Sequence, residues 1–583
     1  MAGNGKRAVI LGISSHYHDA AAALVVDGQL IAAAQEERFT RRKHDPEFPI
    51  HAIEYCLRAG GITGRDLTHV GFYDKPFLKF ERIMASVMRH MPWGYRAFSE
   101  AMPLWLKNKL WIRRQIRSAL DYGGPVLFNE HHMSHAASAF LVSPFEEAAI
   151  LTLDGVGEWA TATMGVGRGT EIRLTHEVRF PHSIGLLYSA MTYHVGFKVN
   201  SGEYKLMGLA PNGEPRFLDQ MREVIDVRDD GSFSLNMRYF DFDWASRMTN
   251  GRWDKLFGPR RTPEEPLDQR HADLARSCQE ITEEVMLKAA RHLRETTGLK
   301  HLCLAGGVAL NCVGNGRVLR EAGFDDIWIQ PAAGDAGGAV GVAYSIWNSA
   351  LGNPRDFVMT HAYWGPEFSD AEIRSYLDGR GAKCEVLDEP ALLEKTARLI
   401  AEGRCTGWFQ GRMEYGPRAL GSRSILADAR DPGMKDRLNA KIKLREGFRP
   451  FAPSVTEEDA GEWFDIDRPS PFMLLTAQVR PNRRTVPSIT HVDGSARLQT
   501  VSRATNPRYH ALIREFHRQT GCPVIINTSF NVRGEPIVMT PEHAYLCFMR
   551  TGMDALVMGS HLLLKEDQPP LSEAEANVTF EAD

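Results

Sequence analysis

The feature that most restricts the fold is a pattern that occurs twice. From Arg7 to Glu37 the chain reads an apolar run (AVILGI), a polar turn (SSHYHD), a second apolar run (AAAALVV), an Asp27-Gly28 turn and a third run (LIAAAQEE). From Glu147 it reads AAILTL, the turn DGVGE, then ATATMGVG, the turn RGT and EIRLTHEV. Apolar runs of this length bounded by Asp/Gly turns read as strands, and Asp-Gly between two of them is a hairpin signal. Two such meanders in one chain imply an internal duplication.

At 583 residues the chain is too long for one core, so two large lobes with inserts are expected. The paired meanders, each followed by helical sequence, resemble the two-lobed nucleotide-binding α/β fold of actin, the sugar kinases and the heat-shock chaperones. HLCLAGGVALN (301–311) and IWIQPAAGDAGGAVGVAY (327–344) each read strand, glycine turn, helix start. The free backbone N–H groups at such helix starts suit a nucleotide or an oxyanion. The punctuation GNPRD at Gly352 sets the expected boundary, giving domains 1–352 and 353–583.

A formal net charge of −4 and a pI near 6.6 provide no global field for nucleic acid or an anionic membrane. Eight cysteines without a CxxC pair fit reduced thiols, and no apolar stretch approaches the ~18 residues of a membrane span. A cytoplasmic protein without nucleic-acid or membrane partners is expected. One local exception is Met84–Leu120, where seven Lys/Arg face a single acid, Glu100, among aromatics. That segment reads as a solvated helical insert or as an acceptor- or membrane-facing surface.

NEHHMSHAASAF (129–140) puts three histidines into five positions. On a helix, His131 and His135 are four apart and share one face, which is the spacing two metal ligands need, whereas His132 points elsewhere. Asp154, ending AAILTLD, and Asp335, in AAGDAGGA, stand where cleft-facing carboxylates belong. A His2Asp2 set suits iron, manganese or zinc more than calcium or magnesium. The absence of HExxH disfavours peptidase chemistry.

Between Arg404 and Arg449 eight Arg and three Lys stand against five acids. The run is interleaved with glycines, GRMEYGPRALGSRSILADAR, and Arg418 and Arg423 flank a turn as if aimed at an oxyanion. Lys443 and Arg445, and Ser529 and Asn531, are pairs two residues apart, able to share one face of an extended segment. No GxxxxGK[ST] loop competes as a phosphate site.

With these residues in hand, HDAAAALVVDG, EERFTRRKHD, HHMSHAASAF, LTLDGVGEWA, KLMGLAP, LAGGVALN, PAAGDAGGA, GRMEYGPRALGSRSILAD, KIKLREGFRPFAPSV, HVDGSARLQTV and NTSFNVRGEPIV resemble, in order, the signature blocks of the O-carbamoyltransferases of the nodulation-protein U and cephamycin type. The resemblance implies a first domain similar to the threonylcarbamoyl transferase acting on tRNA and a YrdC-like second domain. It implies that the second domain turns carbamoyl phosphate and ATP into carbamoyl-adenylate. The first domain would then pass the carbamoyl group to a hydroxyl of a small secondary metabolite, as in antibiotic biosynthesis.

Carried over residue by residue, the metal ligands would be His131, His135, Asp154 and Asp335, with Fe2+ expected and other divalent ions open. Lys205, Gly306, Gly307 and Asn311 would bind the adenylate. The family more often has EGK where this chain has EYK, and tyrosine at Asn212, which weakens the Lys205 role. His18 would be the general base toward the acceptor hydroxyl. Arg418, Arg423, Lys443, Arg445, Arg449, Arg497, Ser529 and Asn531 would bind carbamoyl phosphate and ATP, with Lys443 and Arg418 acting catalytically and Mg2+ accompanying the ATP. Acceptor contacts are expected in the inserts 74–120 and 215–270, and a homodimer is one assembly open to the chain. Two rival readings are a tRNA threonylcarbamoylation-type transferase and an actin-like ATP-dependent binding switch.

Overall fold

Strands β1 (Val9–Ser14), β2 (Ala21–Val26) and β3 (Gln29–Gln35) form the first meander, and β4 (His69–Phe72) and β5 (Val126–Phe128) extend it in the order β3-β2-β1-β4-β5. The Asp27-Gly28 turn joins Val26 to Gln29 with φ of 47° and 83°, the left-handed pair that a two-residue hairpin of this twist requires. The structure is a computed structural model and describes residues 7–95, 98–99, 102–103, 105, 109–578 and 580. Arg96, Glu100 and Lys107 of the basic segment lie outside the described residues.

The second meander builds the same plan. Strands β6 (Glu147–Leu153), β7 (Ala160–Arg168) and β8 (Glu171–Arg179) are followed by a small hairpin, β9 (Ile225–Val227) and β10 (Phe233–Leu235). Strands β11 (His301–Ala305) and β12 (Asp326–Ile329) then complete a sheet ordered β12-β11-β6-β7-β8. In each sheet the first strand pairs antiparallel with the second and parallel with the fourth, so the two five-stranded sheets are topological copies. This is the duplicated fold of actin and the sugar kinases.

Small residues set the spacing of the helices that carry the polar groups. The helix Asp335–Tyr344 is buried on every side, which its sequence DAGGAVGVAY permits. A Cβ on Gly12 of β1 would stand 1.9 Å from the Ala339 carbonyl oxygen, and one on Gly341 would stand 1.9 Å from that of Ser134. Glycine at both positions lets this helix press against β1 and against the helix His131–Phe140, bringing Asp335 beside the histidines.

The chain divides into two units, Met1–Glu36 with His44–Met359, and Glu37–Lys43 with Thr360–Asp583. The second unit holds one mixed nine-stranded sheet. Its strands are β13 (Glu385–Val386), β14 (Thr406–Phe409), β15 (Arg423–Asp428), β16 (Ala452–Thr456), β17 (Leu475–Gln478), β18 (Ser495–Val501), β19 (Ile525–Ser529), β20 (Ala555–Met558) and β21 (His561–Leu564), ordered β13-β21-β20-β14-β15-β19-β16-β18-β17. The helices Glu389–Ala401 and Pro507–Thr520 send Leu392, Ile400, Tyr509 and Phe516 into its core with Trp408 of β14.

Candidate active sites

In the first unit the four residues singled out as metal ligands converge. Asp154 directly follows β6, where its N–H donates to the Thr161 carbonyl (2.9 Å) and its Oδ1 accepts from the Gly307 N–H (2.8 Å). His131 Nε2 lies 3.0 Å from Asp154 Oδ2, 3.1 Å from His135 Nε2 and 3.6 Å from Asp335 Oδ1. His135 Nε2 lies 3.8 Å from Asp154 Oδ2 and 3.7 Å from Asp335 Oδ1. Two ligand atoms bound tetrahedrally at about 2.1 Å from one ion stand about 3.4 Å apart, so this set has the span of a cation cage.

The donor atoms also have the electrostatics such a span requires. Two imidazole nitrogens face each other at 3.1 Å, and Asp335 Oδ1 is buried without a hydrogen-bond partner. Burial raises the Asp154 carboxyl, but hydrogen bonds from His131 and His135 outweigh it and hold the group well below the usual carboxylate range. Burial likewise opposes charge on His135, yet Asp154 and Asp335 lift it to about 9. His132 takes no part: its Nδ1 meets Thr152 Oγ1 at 2.6 Å, and burial with the two neighbouring imidazoles lowers it to about 3.

Because His135 keeps its proton up to about 9 without a metal and must shed it to offer Nε2, affinity of the metal-free chain for Zn2+ or Fe2+ is expected to climb as pH rises from 6.5 toward 9. Calorimetry in buffers of different ionisation enthalpy will show proton release on binding. An affinity flat with pH would count against the cage.

Two supporting contacts were not legible as part of the site. The Tyr73 hydroxyl donates to Asp335 Oδ2 at 3.1 Å. Glu158 accepts from the His131 N–H through both oxygens at 3.1 Å, placing a carboxylate at the N-terminus of the histidine helix. His18 is also oriented. Its Nδ1 meets Asp19 Oδ2 at 3.1 Å, and Asp19 Oδ1 meets His44 Nδ1 at 2.8 Å, so one carboxylate bridges two imidazoles. Holding Nδ1 leaves Nε2 as the reactive nitrogen. Burial works against charge on His18, but Asp335 and Asp19 raise it to about 10.

Each residue of the expected adenylate turn also has a contact within the fold. A Cβ on Gly306, at φ 92°, would meet the Leu153 carbonyl oxygen at 2.2 Å, and Gly307 orients Asp154. Asn311 caps the helix Cys312–Glu321 through Gly314 N–H (3.0 Å) and pairs with Gln279 at 2.9 and 3.1 Å. Lys205 is buried on the short helix Glu203–Leu209, its Nζ 5.7 Å from the centre of the Phe197 ring.

In the second unit Lys443 is the hub. Its buried Nζ donates to Ser529 O (2.6 Å), Ser529 Oγ (3.2 Å), Asn531 O (3.0 Å) and Asn531 Oδ1 (2.6 Å). None of these partners is a carboxylate. Burial, with the nearby charges of Arg445 and Arg449, holds its amine well below the usual lysine range, and an oxyanion arriving there would reverse that pull. Arg445 is anchored by Asn439 Oδ1 (2.7 Å), and Arg449 is paired to Glu446 at 3.5 Å.

Strand register sorts the remaining arginines. Ala452 pairs with Asn527, and the parallel β16–β18 register sets Arg497 level with both. Arg497 therefore shares the end and the face of the sheet from which Ser529 projects. Arg418 lies half-buried in the turn leading to β15. Arg423 is a correction. Ser424 pairs with Ser529, so Arg423 points to the opposite face. It is fully buried over the Phe409 ring (3.7 Å), and its Nη atoms donate to the carbonyls of Gln410, Gly411, Ser422 and Pro366 at 2.9–3.1 Å. A guanidinium so engaged fixes the turn.

Sequence reasoning also missed Arg41. Its guanidinium donates to Ile537 O (2.8 Å), Pro536 O (2.7 Å) and Glu535 Oε1 (3.0 Å). Glu535 O in turn accepts from Asn531 Nδ2 at 2.6 Å. An arginine about four hundred positions from Lys443 thus braces the loop that supplies two of its partners.

Fold and sites together define an actin-like α/β unit with a His2Asp2 cluster, linked to a mixed-sheet unit with Lys443, Arg445 and Arg449 close together. Residues 9–344 match the family described as carbamoyltransferase N-terminus, and residues 397–565 match carbamoyltransferase C-terminus. The chain belongs to the carbamoyltransferase family and is an enzyme of that type. It is 52% identical to uncharacterized protein sll1178 of Synechocystis sp., over 96% of this chain and 97% of that one. It is 41% identical to nodulation protein NolNO of Sinorhizobium fredii, over 95% and 80% of the two chains. Against nodulation protein U of Bradyrhizobium diazoefficiens the identity is 29%, over 91% and 93%. No helix among the described residues is long and apolar enough to cross a membrane.

Proposed function

We propose that the protein is an ATP-dependent O-carbamoyltransferase in which the second unit makes carbamoyl-adenylate and the first consumes it. The observation that carries this reading is the presence, in one chain of this family, of two different chemical centres. One is a cluster of cations around Lys443, and the other is a His2Asp2 cage accompanied by an imidazole oriented by Asp19.

In the first reaction water releases orthophosphate from carbamoyl phosphate, leaving carbamate. A carbamate oxygen then attacks the α-phosphorus of ATP and displaces pyrophosphate. Lys443, Arg418, Arg445, Arg449 and Arg497 neutralise these polyanions, the guanidiniums without being able to lose a proton, while Ser529 and Asn531 fix the ammonium. Mg2+ accompanies the ATP.

In the second reaction the acceptor hydroxyl oxygen attacks the carbamoyl carbon, AMP departs, and His18 Nε2 takes the hydroxyl proton. His131, His135, Asp154 and Asp335 would hold a divalent cation of the iron, manganese or zinc type. That ion would supply a Lewis acid for carbonyl or phosphoryl oxygen and offset the carboxylate charges that keep His18 protonated. Asp19 keeps the His18 ring aligned throughout.

The test is pyrophosphate release that depends on carbamoyl phosphate. Release without carbamoyl phosphate, or none with it, would discard the reading. Arg41→Ala is expected to raise KM for carbamoyl phosphate about tenfold with a smaller change in kcat, because it loosens the loop around Asn531 without touching substrate. Equal loss in kcat and KM would assign Arg41 a different role.

A further inference from the structure

The helix Pro76–Arg89 buries two of its charges and exposes large apolar side chains. It turns Lys79 and Arg82 inward, at 6% and 8% exposure, and leaves Phe77 and Met88 outward, at 71% and 64%. Burying a charged side chain is costly unless it is paired. Lys79 is paired, its Nζ 2.8 Å from Asp74 Oδ2 and 5.0 Å from the centre of the Tyr17 ring.

Arg82 has no such partner. Its guanidinium lies 4.8 Å from the Phe180 ring centre, its Nε is buried without a hydrogen-bond acceptor, and among the described residues it makes no ion pair. A third cation, Lys109, donates from Nζ to the His16 carbonyl at 2.6 Å and also meets no carboxylate within ion-pair range among the described residues. Two of the nearby acids are committed, Asp74 to Lys79 and Glu158 to the N–H groups of Lys75 and His131, while Glu47 acts on Lys109 from beyond ion-pair range. Burial draws Arg82 down to about 10 and, helped by Lys79, Lys109 down to about 8, as expected of cations short of an anion.

Lys109 and Lys79 flank the turn His16–Tyr17–His18, through the His16 carbonyl and the Tyr17 ring, and the Tyr17 and His18 rings are 4.6 Å apart between centres. Arg82 stands one helical turn beyond Lys79 on the same buried side. We propose that Arg82, supported by Lys109 and Lys79, is an anion subsite beside His18 that receives a phosphate or carboxylate carried by the acceptor molecule. The acceptor class is then a hydroxylated compound bearing an oxyanion, in place of a neutral or cationic sugar. The fork of the arginine matches either oxyanion bidentately. This inference rests on the transfer reading for its meaning, and the same chemistry could serve the phosphate of the adenylate.

The full chain crystallised and soaked in selenate separates these cases. An anomalous peak on Arg82 that persists when AMP is bound, and that disappears in Arg82→Met, is the expected result. No peak at Arg82, or a peak that AMP expels, overturns the acceptor assignment. In a product survey, Arg82→Met should raise KM for phosphate- or carboxylate-bearing hydroxyl compounds by about 10- to 100-fold, and equal use of their uncharged analogues by the wild type would also overturn it. Carbamoyl-phosphate-dependent pyrophosphate release is measured on the same wild-type preparation. Its absence would sink the adenylate-forming reading while leaving the anion peak standing.

Discussion

Replacing His18 with alanine is expected to lower carbamoyl transfer by about 100- to 10,000-fold, the range a positioned general base supplies, while pyrophosphate release continues. The reason lies in placement. His18 is tied through Nδ1 to Asp19 in the first unit, whereas the cations that would handle ATP surround Lys443 in the second. Transfer is read by mass spectrometry as the gain of one carbamoyl group, and adenylate formation by a coupled pyrophosphate assay. Added imidazole should restore part of the lost transfer, which a merely structural histidine would not allow. Loss of both half-reactions in a folded variant would end the division of labour.

Lys443→Met is expected to do the opposite. Removing the ammonium takes a donor from four oxygens of Ser529 and Asn531, of which Asn531 Oδ1 keeps the Ser529 hydroxyl, and deprives the phosphates of a buried cation. A loss of about 100- to 1,000-fold in pyrophosphate release is the scale for deleting one preorganised electrostatic contact. Transfer from separately generated carbamoyl-adenylate should survive. Arg423→Met makes an informative contrast: because its guanidinium clamps backbone carbonyls, it should lower the midpoint of thermal unfolding more than it changes substrate affinity. Thermal denaturation beside the pyrophosphate assay distinguishes the two.

Much of the first unit could be read from its sequence because the signals were local. A DG turn, a helical i, i+4 histidine pair and aspartates at strand and helix boundaries each depend on a few neighbouring positions, and all four cage residues came together. Asp19 could not be assigned its role that way, since its second imidazole, His44, is 25 positions further along. Arg423 was misread for a related reason. Arginines around a glycine turn announce a phosphate site by composition, but which face each takes is decided by pairing with β19, and a one-residue step reverses it. Lys79 and Arg82 lie upstream of the basic segment counted from Met84 onward, and their inward turn becomes evident only in three dimensions.

The stretch Glu37–Lys43 has a genetic consequence. It belongs to the second unit although more than three hundred codons separate it from the rest of that unit, and it delivers Arg38 to the Gly416 carbonyl and Arg41 to Glu535. A gene cut between codons 359 and 360 therefore yields a downstream product missing a piece of its own interior. Recombination that swaps the two halves as cassettes must also carry a short upstream patch with the downstream partner, which ties the inheritance of the two units together.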